Sequence, residues 1–226
     1  MRNIDFYKKF LKRFFDIVFS VIMLIILAIP FILIAIWIKI DSKGPILFKH
    51  TRSGKNRQPF TVYKFRSMST DAPKYQATNT FLDAGSFITF SGRIMRRLSI
   101  DELPQLVNVL KGEMSIVGPR PVILAEKELL LEREKYQANS YKPGITGWAQ
   151  VNGRDELCID EKAKMDGYYA EHFGLVMDIK CLFRTLTAVL SMNGYREGHE
   201  RDEVVDFDDA DLTQIVEYAR LNNERI

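Results

Sequence analysis

Residues 17–38 read IVFSVIMLIILAIPFILIAIWI, an apolar run of 22 residues without a charged side chain. As one continuous helix the run would extend about 33 Å, which is enough to cross the hydrocarbon core of a bilayer. A cleavable signal peptide fits less well, because the run is longer than a usual signal core and lacks a small-residue cleavage pattern near its end. The sequence therefore predicts a retained membrane segment.

Basic residues flank this run on both sides. Residues 1–66 hold 13 Lys and Arg against three Asp, whereas residues 197–226 hold ten acidic residues against three Arg. Positively charged flanks favour the cytoplasmic side of a membrane, so the pattern favours both ends of the run in the cytoplasm. Pro30 lies inside the run and removes a backbone hydrogen bond from a helix. We predict a re-entrant helix-break-helix, with a straight span kinked at Pro30 as the alternative.

Length and composition limit the rest of the chain. The 226 residues leave room for this segment and one compact domain. We predict an α+β, mostly helical fold in three parts: a membrane anchor at 1–41, a cytoplasmic catalytic domain with a small β-hairpin at 42–196, and an acidic tail at 197–226. A basic belt around an apolar run fits an anionic membrane surface, so nucleic acid is not an expected partner. Two cysteines are too few for a disulfide framework.

Turn signals and apolar periodicity predict the elements of the catalytic domain. Residues 46–50 and 60–65 are short β-prone runs that predict the hairpin. Periodicity predicts helices at 92–98, through Leu103 to Leu110, and at 122–137, 160–172 and 178–192. The last of these is expected either to pack on the core or to lie at the membrane interface. A short helix at 212–221 is expected in the tail.

The candidate chemistry lies in the run LSIDELPQLVNVLKGEMSIVGPRP at residues 98–121. Asp101 and Glu102 precede the helix through Leu103, and Ser99 with Glu102 matches the S-x-x-E capping pattern. Capping alone is the plainer explanation of the acidic pair. Arg120 stands between two prolines, which restrict its backbone, and a guanidinium can bind phosphate oxygens through two hydrogen bonds.

An acidic pair beside arginines fits phosphoryl transfer. If a phosphate group reaches Asp101, the carboxylate can attack phosphorus and form an acyl phosphate. Glu102 could help to hold a magnesium ion, which takes oxygen ligands. Arg96 precedes the pair, and Lys64 lies in the strand-like run YKFR at 63–66. Both are candidate phosphate contacts, with an exposed basic face as the plainer alternative.

A third motif, KPGITGWAQVNGR, occupies residues 142–154. Its glycines permit tight turns, and it adds an aromatic ring, amides and Arg154. That composition suits a nucleotide or a sugar, although a rigid structural turn would need the same glycines.

With YKFRSM at 63–68 and the two longer motifs in this order, the chain resembles the bacterial sugar transferases of the monotopic phosphoglycosyl transferase superfamily, over about residues 10–192. The resemblance implies that Asp101 is the nucleophile, that Asp101 and Glu102 form a magnesium-dependent dyad, and that Pro30 breaks a re-entrant helix. It also implies phosphate binding or active-site support by Lys64, Arg96 and Arg120. Nucleotide contacts or a supporting network are implied for Arg154, Asp166 and Asp178.

The resemblance further implies a two-step reaction. Asp101 would attack the β-phosphate of a UDP-sugar, UMP would leave, and a polyprenyl phosphate such as undecaprenyl phosphate would take the phospho-sugar. We expect the short form of the family, a monotopic enzyme of the bacterial inner (cytoplasmic) membrane with its active site facing the cytoplasm. It would act in the first membrane step of glycan biosynthesis, with downstream glycosyltransferases as candidate partners. The alternatives are an inactive membrane scaffold and a magnesium-dependent phosphatase or nucleotide-sugar hydrolase that uses water as acceptor.

Overall fold

Two helices with a sharp bend between them form the first part of the fold. The structure is a computed structural model that describes residues 7–72, 84–153 and 157–191. A π-helical turn at Tyr7–Leu11 leads into α1 (Lys12–Ile26), and α2 (Ala28–Asp41) follows. Within the described residues no single helix is long and apolar enough to cross a membrane, whereas α1 and α2 together meet that test by length and composition and are bent by 62°.

The bend falls at Leu27, where φ is −85° and ψ is 0°. Pro30 therefore lies in the first turn of α2, where backbone amides have no acceptor within their own helix. Its missing N–H costs α2 nothing, but it removes the hydrogen bond that would carry α1 past Ile26. The helix-break-helix agrees with the geometry predicted from Pro30, and re-entry into a membrane stays a prediction.

A β-hairpin follows the helix pair, as the sequence predicts. Strands β1 (Leu47–Ser53) and β2 (Pro59–Phe65) pair antiparallel, with Leu47 opposite Phe65. The run predicted at 46–50 continues as β1 to Ser53, which leaves a short connecting loop before β2. It contains a 3-10 turn at Lys55–Arg57.

The remaining elements are mostly helical, with one further strand pair that the sequence analysis did not predict. Strands β3 (Ser115–Val117) and β4 (Gly144–Thr146) pair in parallel. The short 3-10 turns are at Ala84–Phe87, Ile100–Glu102 and Ala138–Ser140. The helices are α3 (Phe90–Arg97), α4 (Gln105–Lys111), α5 (Lys127–Lys135), α6 (Trp148–Val151), α7 (Ile159–Glu171) and α8 (Leu175–Ser191).

The helix predicted at 122–137 was wrong at its N-terminal end. The Val122 carbonyl accepts a hydrogen bond from the Ser53 amide at 2.9 Å, so this backbone extends the end of β1 and α5 begins only at Lys127. At the other end Gln137 has φ 55°, which ends the helical geometry. The helix predicted at 212–221 and the tail at 197–226 lie outside the described residues.

Three hydrophobic clusters hold these elements together. The largest joins β2, α4, β3, α7 and α8, and partly buried side chains of α1 pack against it. A second lies between α5 and α7. The third contains Ile38, Phe65 and Met95, and so fixes α2 to β2 and α3. The helix pair therefore packs directly on the elements that carry the candidate site residues between 63 and 121, and the division at residue 41 stays a prediction.

Candidate active site

Glu102 lies between two cations that come from distant parts of the chain. Lys64 Nζ donates to Glu102 Oε1 at 2.7 Å. Arg120 Nη2 donates to the same oxygen at 3.0 Å, and Arg120 Nη1 donates to Oε2 at 3.4 Å. Lys64 lies near the end of β2 and Arg120 lies in the turn after β3, so the carboxylate joins three segments at one point.

The local backbone explains why Glu102 faces these cations. Ser99 adopts a left-handed conformation with φ 55°, and the 3-10 turn Ile100–Glu102 follows before α4 begins. The capping box predicted for Ser99 and Glu102 was wrong: the Ser99 side chain makes no capping hydrogen bond. The Glu102 carboxylate instead pairs with Lys64 and Arg120. The acidic pair is thus presented on a tight turn, outside the regular helix.

Asp101, the neighbour of Glu102, is buried, with 8% of its surface exposed. Burial raises the pKa of the Asp101 carboxyl, and the negative charge of Glu102 acts in the same direction, while Lys64, Arg96 and Arg120 act against it. None of the residues that the structure describes donates a hydrogen bond to its carboxylate. Asp101 is therefore a poorly solvated carboxylate, stabilised by nearby charge alone.

The pKa values of the two carboxyls are pushed in opposite directions. Burial acts to raise the pKa of Glu102, but the charges of Arg120 and Lys64 outweigh it and hold this pKa well below its usual range. Burial lowers the pKa of Lys64, with Glu102 acting against that shift. Such a separation divides the roles of an acidic pair. Glu102 is therefore held as an anion, whereas the Asp101 carboxyl is the weaker acid of the pair.

Asn108 fixes the distance between the strand of Lys64 and the helix behind the acidic pair. Its side chain is completely buried. Nδ2 donates to the Thr61 carbonyl at 2.6 Å, and Oδ1 accepts from the Tyr63 amide at 3.1 Å. The sequence analysis missed this residue, although an amide among the apolar residues of a short helix is a signal that could have found it.

The turn that carries Arg120 is held through its backbone. Arg133 Nη1 donates to the Arg120 carbonyl at 3.0 Å, and Arg133 Nη2 forms an ion pair with Asp166 Oδ2 at 2.5 Å. A Cβ at Gly147 would lie 2.1 Å from the Gly118 carbonyl oxygen, so the loop after β4 approaches this turn too closely for a side chain. Asp166 thus supports the site through Arg133, a residue that the sequence analysis missed.

Asp178 belongs to a second buried cluster. It accepts hydrogen bonds from Tyr7 Oη at 2.5 Å, Lys12 Nζ at 2.6 Å and Tyr169 Oη at 2.8 Å. Tyr169 Oη also lies 3.0 Å from the Val117 carbonyl oxygen. These contacts tie the start of α1 to α8 and to the end of β3. Asp178 therefore lies in a supporting network, apart from the cations around Glu102.

The other arginines of the motifs lie in different surroundings. The charge of Arg96 acts on Asp101. Within the described chain, the buried Nη1 atom of Arg96 has no hydrogen-bond partner, which leaves a donor for a phosphate oxygen. Arg66 instead holds the end of α2, because its Nη2 donates to the Ser42 carbonyl at 2.7 Å and the Ile38 carbonyl at 3.4 Å. Arg154 lies outside the described residues.

The family model for bacterial sugar transferases matches residues 7–192, which include every motif of this site. The chain belongs to the bacterial sugar transferase family. Its relatives include an undecaprenyl-phosphate glucose phosphotransferase of Komagataeibacter xylinus, 45% identical over 81% of this chain and 37% of the relative. An exopolysaccharide production protein, PSS of Rhizobium leguminosarum bv. phaseoli, is 43% identical over 80% of this chain and 96% of the relative.

A third relative is an undecaprenyl-phosphate galactose phosphotransferase of Salmonella typhimurium, 40% identical over 82% of this chain and 42% of the relative. The chain thus spans less than half the length of the Komagataeibacter xylinus and Salmonella typhimurium phosphotransferases. It spans nearly the whole of PSS. The shared region is the one that carries Asp101, Glu102 and Arg120.

The acidic pair of this sugar transferase fits a magnesium ion that is bound together with phosphate. Among the residues that the structure describes, no group of three or more His, Cys, Asp or Glu is arranged to hold a metal ion. Magnesium is usually bound by one or two carboxylates, with waters and substrate phosphates completing its ligands. Asp101 and Glu102 supply that number of carboxylates, and a carboxylate has about four lone-pair sites, so Glu102 keeps acceptor capacity beside its cations.

Proposed function

We propose that the chain is a phosphoglycosyl transferase that moves a sugar-1-phosphate from a UDP-sugar to a polyprenyl phosphate and releases UMP. The observation that carries this proposal is Asp101, a buried carboxylate with a raised pKa beside a Glu102 that two cations keep ionised. The names of the relatives support undecaprenyl phosphate as the acceptor class. A sugar nucleotide and a lipid phosphate are both anions, and the cations around Glu102 suit both.

In the first step a carboxylate oxygen of Asp101 attacks the β-phosphorus of the UDP-sugar. A bond forms between that oxygen and phosphorus, and the bond from phosphorus to the UMP oxygen breaks, so UMP leaves with the electron pair. Asp101 then carries the sugar phosphate as an acyl phosphate. Arg120 and Arg96 balance the negative charge on the transferring group, which is the main catalytic task in phosphoryl transfer.

In the second step a phosphate oxygen of the lipid attacks the same phosphorus. The bond from phosphorus to Asp101 breaks, the carboxylate is restored, and the product is a polyprenyl diphosphate-sugar. No proton or electron is left over, since one phosphoanhydride is exchanged for another. The burial of Asp101 has a function here, because an exposed acyl phosphate would be open to hydrolysis by water.

A magnesium ion held by Asp101 and Glu102 would neutralise phosphate charge during both transfers. The chain's own contribution is the placement of the carboxylates. Lys64 and Arg120 hold Glu102 in one orientation, and Asn108 and Arg133 in turn fix the segments that carry these cations.

The helix pair would place this chemistry at a membrane. We propose a monotopic enzyme of the bacterial cytoplasmic membrane, in which α1 and α2 enter and leave by the cytoplasmic face. The 62° bend and the basic flanks support this topology. The reaction would be the first membrane step of glycan biosynthesis, for example of an exopolysaccharide, and its product would pass to downstream glycosyltransferases.

The test is UMP release by the purified membrane protein with magnesium and a panel of UDP-sugars, with and without undecaprenyl phosphate. The panel includes UDP-glucose, UDP-galactose and UDP-N-acetylgalactosamine, after the sugars in the relatives' names. We expect sustained UMP release that depends on the lipid, is lost in Asp101→Asn, and is kept in Asp160→Asn, a matched change of an exposed aspartate on α7.

Two other outcomes would contradict the proposal. Sustained UMP release without lipid, together with free sugar phosphate, would show a hydrolase with water as acceptor. No UMP from any sugar nucleotide, with protein that is folded by circular dichroism, would favour the membrane scaffold.

A further inference from the structure

The outer face of α3 carries an apolar stripe directly before the acidic pair. Phe90, Ile94 and Leu98 follow one another at intervals of four residues, with 66%, 38% and 39% of their surfaces exposed. Residues at this spacing share one side of a helix. Met95, on the other side, is buried against Ile38 and Phe65. The helix therefore uses one face for the core and leaves an apolar face outside.

This stripe continues the apolar surface of the helix pair. The Phe90 ring meets the Trp37 ring of α2 edge to face, with centroids 6.4 Å apart. The same helix exposes Leu33, Ile36 and Ile40. The exposed apolar residues of α2 and those of α3 therefore meet at the contact between Trp37 and Phe90.

The arginines of α3 begin at one edge of the stripe and continue around the helix towards its buried side. At about 100° per residue, Arg97, Arg93 and Arg96 follow in this order away from the stripe on the same side. Arg93 and Arg97 are exposed. Arg96 is partly buried, acts electrostatically on Asp101, and has the Nη1 donor described above. Positive charge thus leads from the exposed border of the stripe to the nucleophile.

The arrangement of the stripe and the arginines fits a single lipid substrate better than it fits general contact with the bilayer. A helix that merely lies on a membrane needs an apolar face and basic residues on its water-facing side. Here the side opposite the stripe packs on the protein, and the basic residues lead from one edge of the stripe around to Arg96, whose charge acts on Asp101. A ligand with one long apolar chain and one phosphate matches both the stripe and its border.

We propose that α3 is the docking surface of the acceptor lipid. The prenyl chain lies along Phe90, Ile94 and Leu98, and its phosphate passes along Arg97 and Arg93 to Arg96. From there a phosphate oxygen attacks the phosphorus on Asp101, and the carboxylate leaves. This inference rests on the proposed function and adds to it the site and the orientation of the second substrate.

The experiment separates the two half-reactions of the full-length protein in detergent micelles. Without lipid, one burst of UMP per enzyme reports the attack by Asp101; with lipid, steady-state UMP release gives the KM for the acceptor. The test variant is the double change Ile94→Ser and Leu98→Ser. Its matched control is Leu131→Ser, which removes an exposed leucine from α5, 57% exposed and outside the stripe.

We expect the double variant to raise the KM for undecaprenyl phosphate at least tenfold, while the size of the UMP burst stays within about threefold of the original. The increase should be smaller for a short-chain prenyl phosphate, which covers less of the stripe. Arg93→Gln with Arg97→Gln should raise the KM for both acceptors equally, because both carry the same phosphate. Leu131→Ser should leave both measurements unchanged.

Two results would overturn the proposal. One is an unchanged acceptor KM, or a burst that falls as much as steady-state turnover. The other is a loss of binding to vesicles that contain no polyprenyl phosphate as large as the loss of acceptor affinity, which would make the stripe a bilayer contact. A failure of the proposed function would look different, because the unaltered protein would then give no UMP burst with any UDP-sugar.

Discussion

Two buried carboxylate clusters in this protein are built from similar groups and differ in one respect. Asp178 accepts hydrogen bonds from two tyrosine hydroxyls and Lys12, so its charge is fully engaged. Asp101 is equally buried and is surrounded by cations, yet none of the described residues donates a hydrogen bond to it. The first cluster joins α1, α7 and α8. The second lies at the meeting point of β2, α4 and the turn after β3.

The comparison shows what makes a buried carboxylate available for chemistry. Burial of a charge is costly unless the charge is paired and hydrogen-bonded, and Asp178 meets that requirement within the fold. At the other site Lys64 and Arg120 donate their hydrogen bonds to Glu102, and burial raises the pKa of the Asp101 carboxyl. A perturbed pKa in a site of this kind indicates function. We infer that Asp178 stabilises the fold and that Asp101 is kept for a ligand.

The largest expected effect separates the two clusters directly. Asp101→Asn should lower kcat/KM for the UDP-sugar by about 10³-fold or more, because a carboxamide cannot form the acyl phosphate. Intact-mass measurement after incubation with the donor alone should show a phospho-sugar adduct on the original protein and none on the variant. An adduct of unchanged yield on Asp101→Asn would assign the nucleophile to another residue.

The next effect concerns Lys64, whose charge lowers the pKa of Asp101. In the proposed mechanism the Asp101 carboxylate is the attacking group, so the rate should rise with pH as this group loses its proton. Burial raises the pKa of Asp101. The midpoint of the acid limb, the part of the pH profile in which kcat/KM rises with pH, should therefore lie above the ordinary aspartate pKa of about 4. Lys64→Met should lower kcat/KM by about 10²-fold and move the acid limb to higher pH, as measured by kcat/KM against pH.

Glu102→Gln provides the opposite sign in the same experiment. The negative charge of Glu102 raises the pKa of Asp101. Removing that charge should therefore move the acid limb of the remaining activity to lower pH. Shifts in the same direction for Lys64→Met and Glu102→Gln would show that Asp101 is not the group that titrates.

A smaller effect is expected in the Asp178 cluster. Asp178→Asn keeps an acceptor but loses the charge that pairs with Lys12, so the free energy of unfolding should fall by about 1–3 kcal/mol. Thermal unfolding in detergent should show a lower Tm, with activity per folded protein within about threefold of the original. A shift of the acid limb in this variant would mean that the two clusters are coupled, and would break the distinction between them.

The smallest expected effect is that of Tyr169→Phe. The change removes the hydroxyl that bonds to Asp178 and lies beside the Val117 carbonyl, which should cost about 1 kcal/mol of stability. Chemical denaturation would measure this difference, with Tyr168→Phe, a change at a neighbouring exposed tyrosine, as the matched control. Equal stability of the two variants would remove Tyr169 from the supporting network.

Some of the fold follows from local patterns and some does not. The hairpin and all five helices predicted in the described part of the domain are present, because period and turn residues are local properties. The helix predicted at 122–137 begins only at Lys127, because a long-range contact, the hydrogen bond between Ser53 and Val122, keeps residue 122 out of it. The β3–β4 pair was missed for the same reason: three-residue strands carry little periodicity, and their partners are distant in the chain.

The site divides in the same way. The motifs predicted Lys64, Asp101, Glu102 and Arg120 as candidates, and the structure brings these four together. Asn108 and Arg133 were missed, since each is explained by a partner far away in sequence. The capping box at Ser99 failed because Glu102 had stronger, charged partners than the backbone amide that a cap would use.

By itself the sequence determined that this protein has an apolar segment with basic flanks, a break near Pro30, and a compact run of acidic and basic residues suited to phosphoryl chemistry. These are consequences of side-chain polarity and of the missing amide of proline, and they need no partner elsewhere in the chain. Only the tertiary structure decided which carboxylate is paired with cations and which receives no hydrogen bond from the described residues. That choice depends on which elements pack together, because a buried charge is controlled by the donors and cations that packing places within a few ångströms of it.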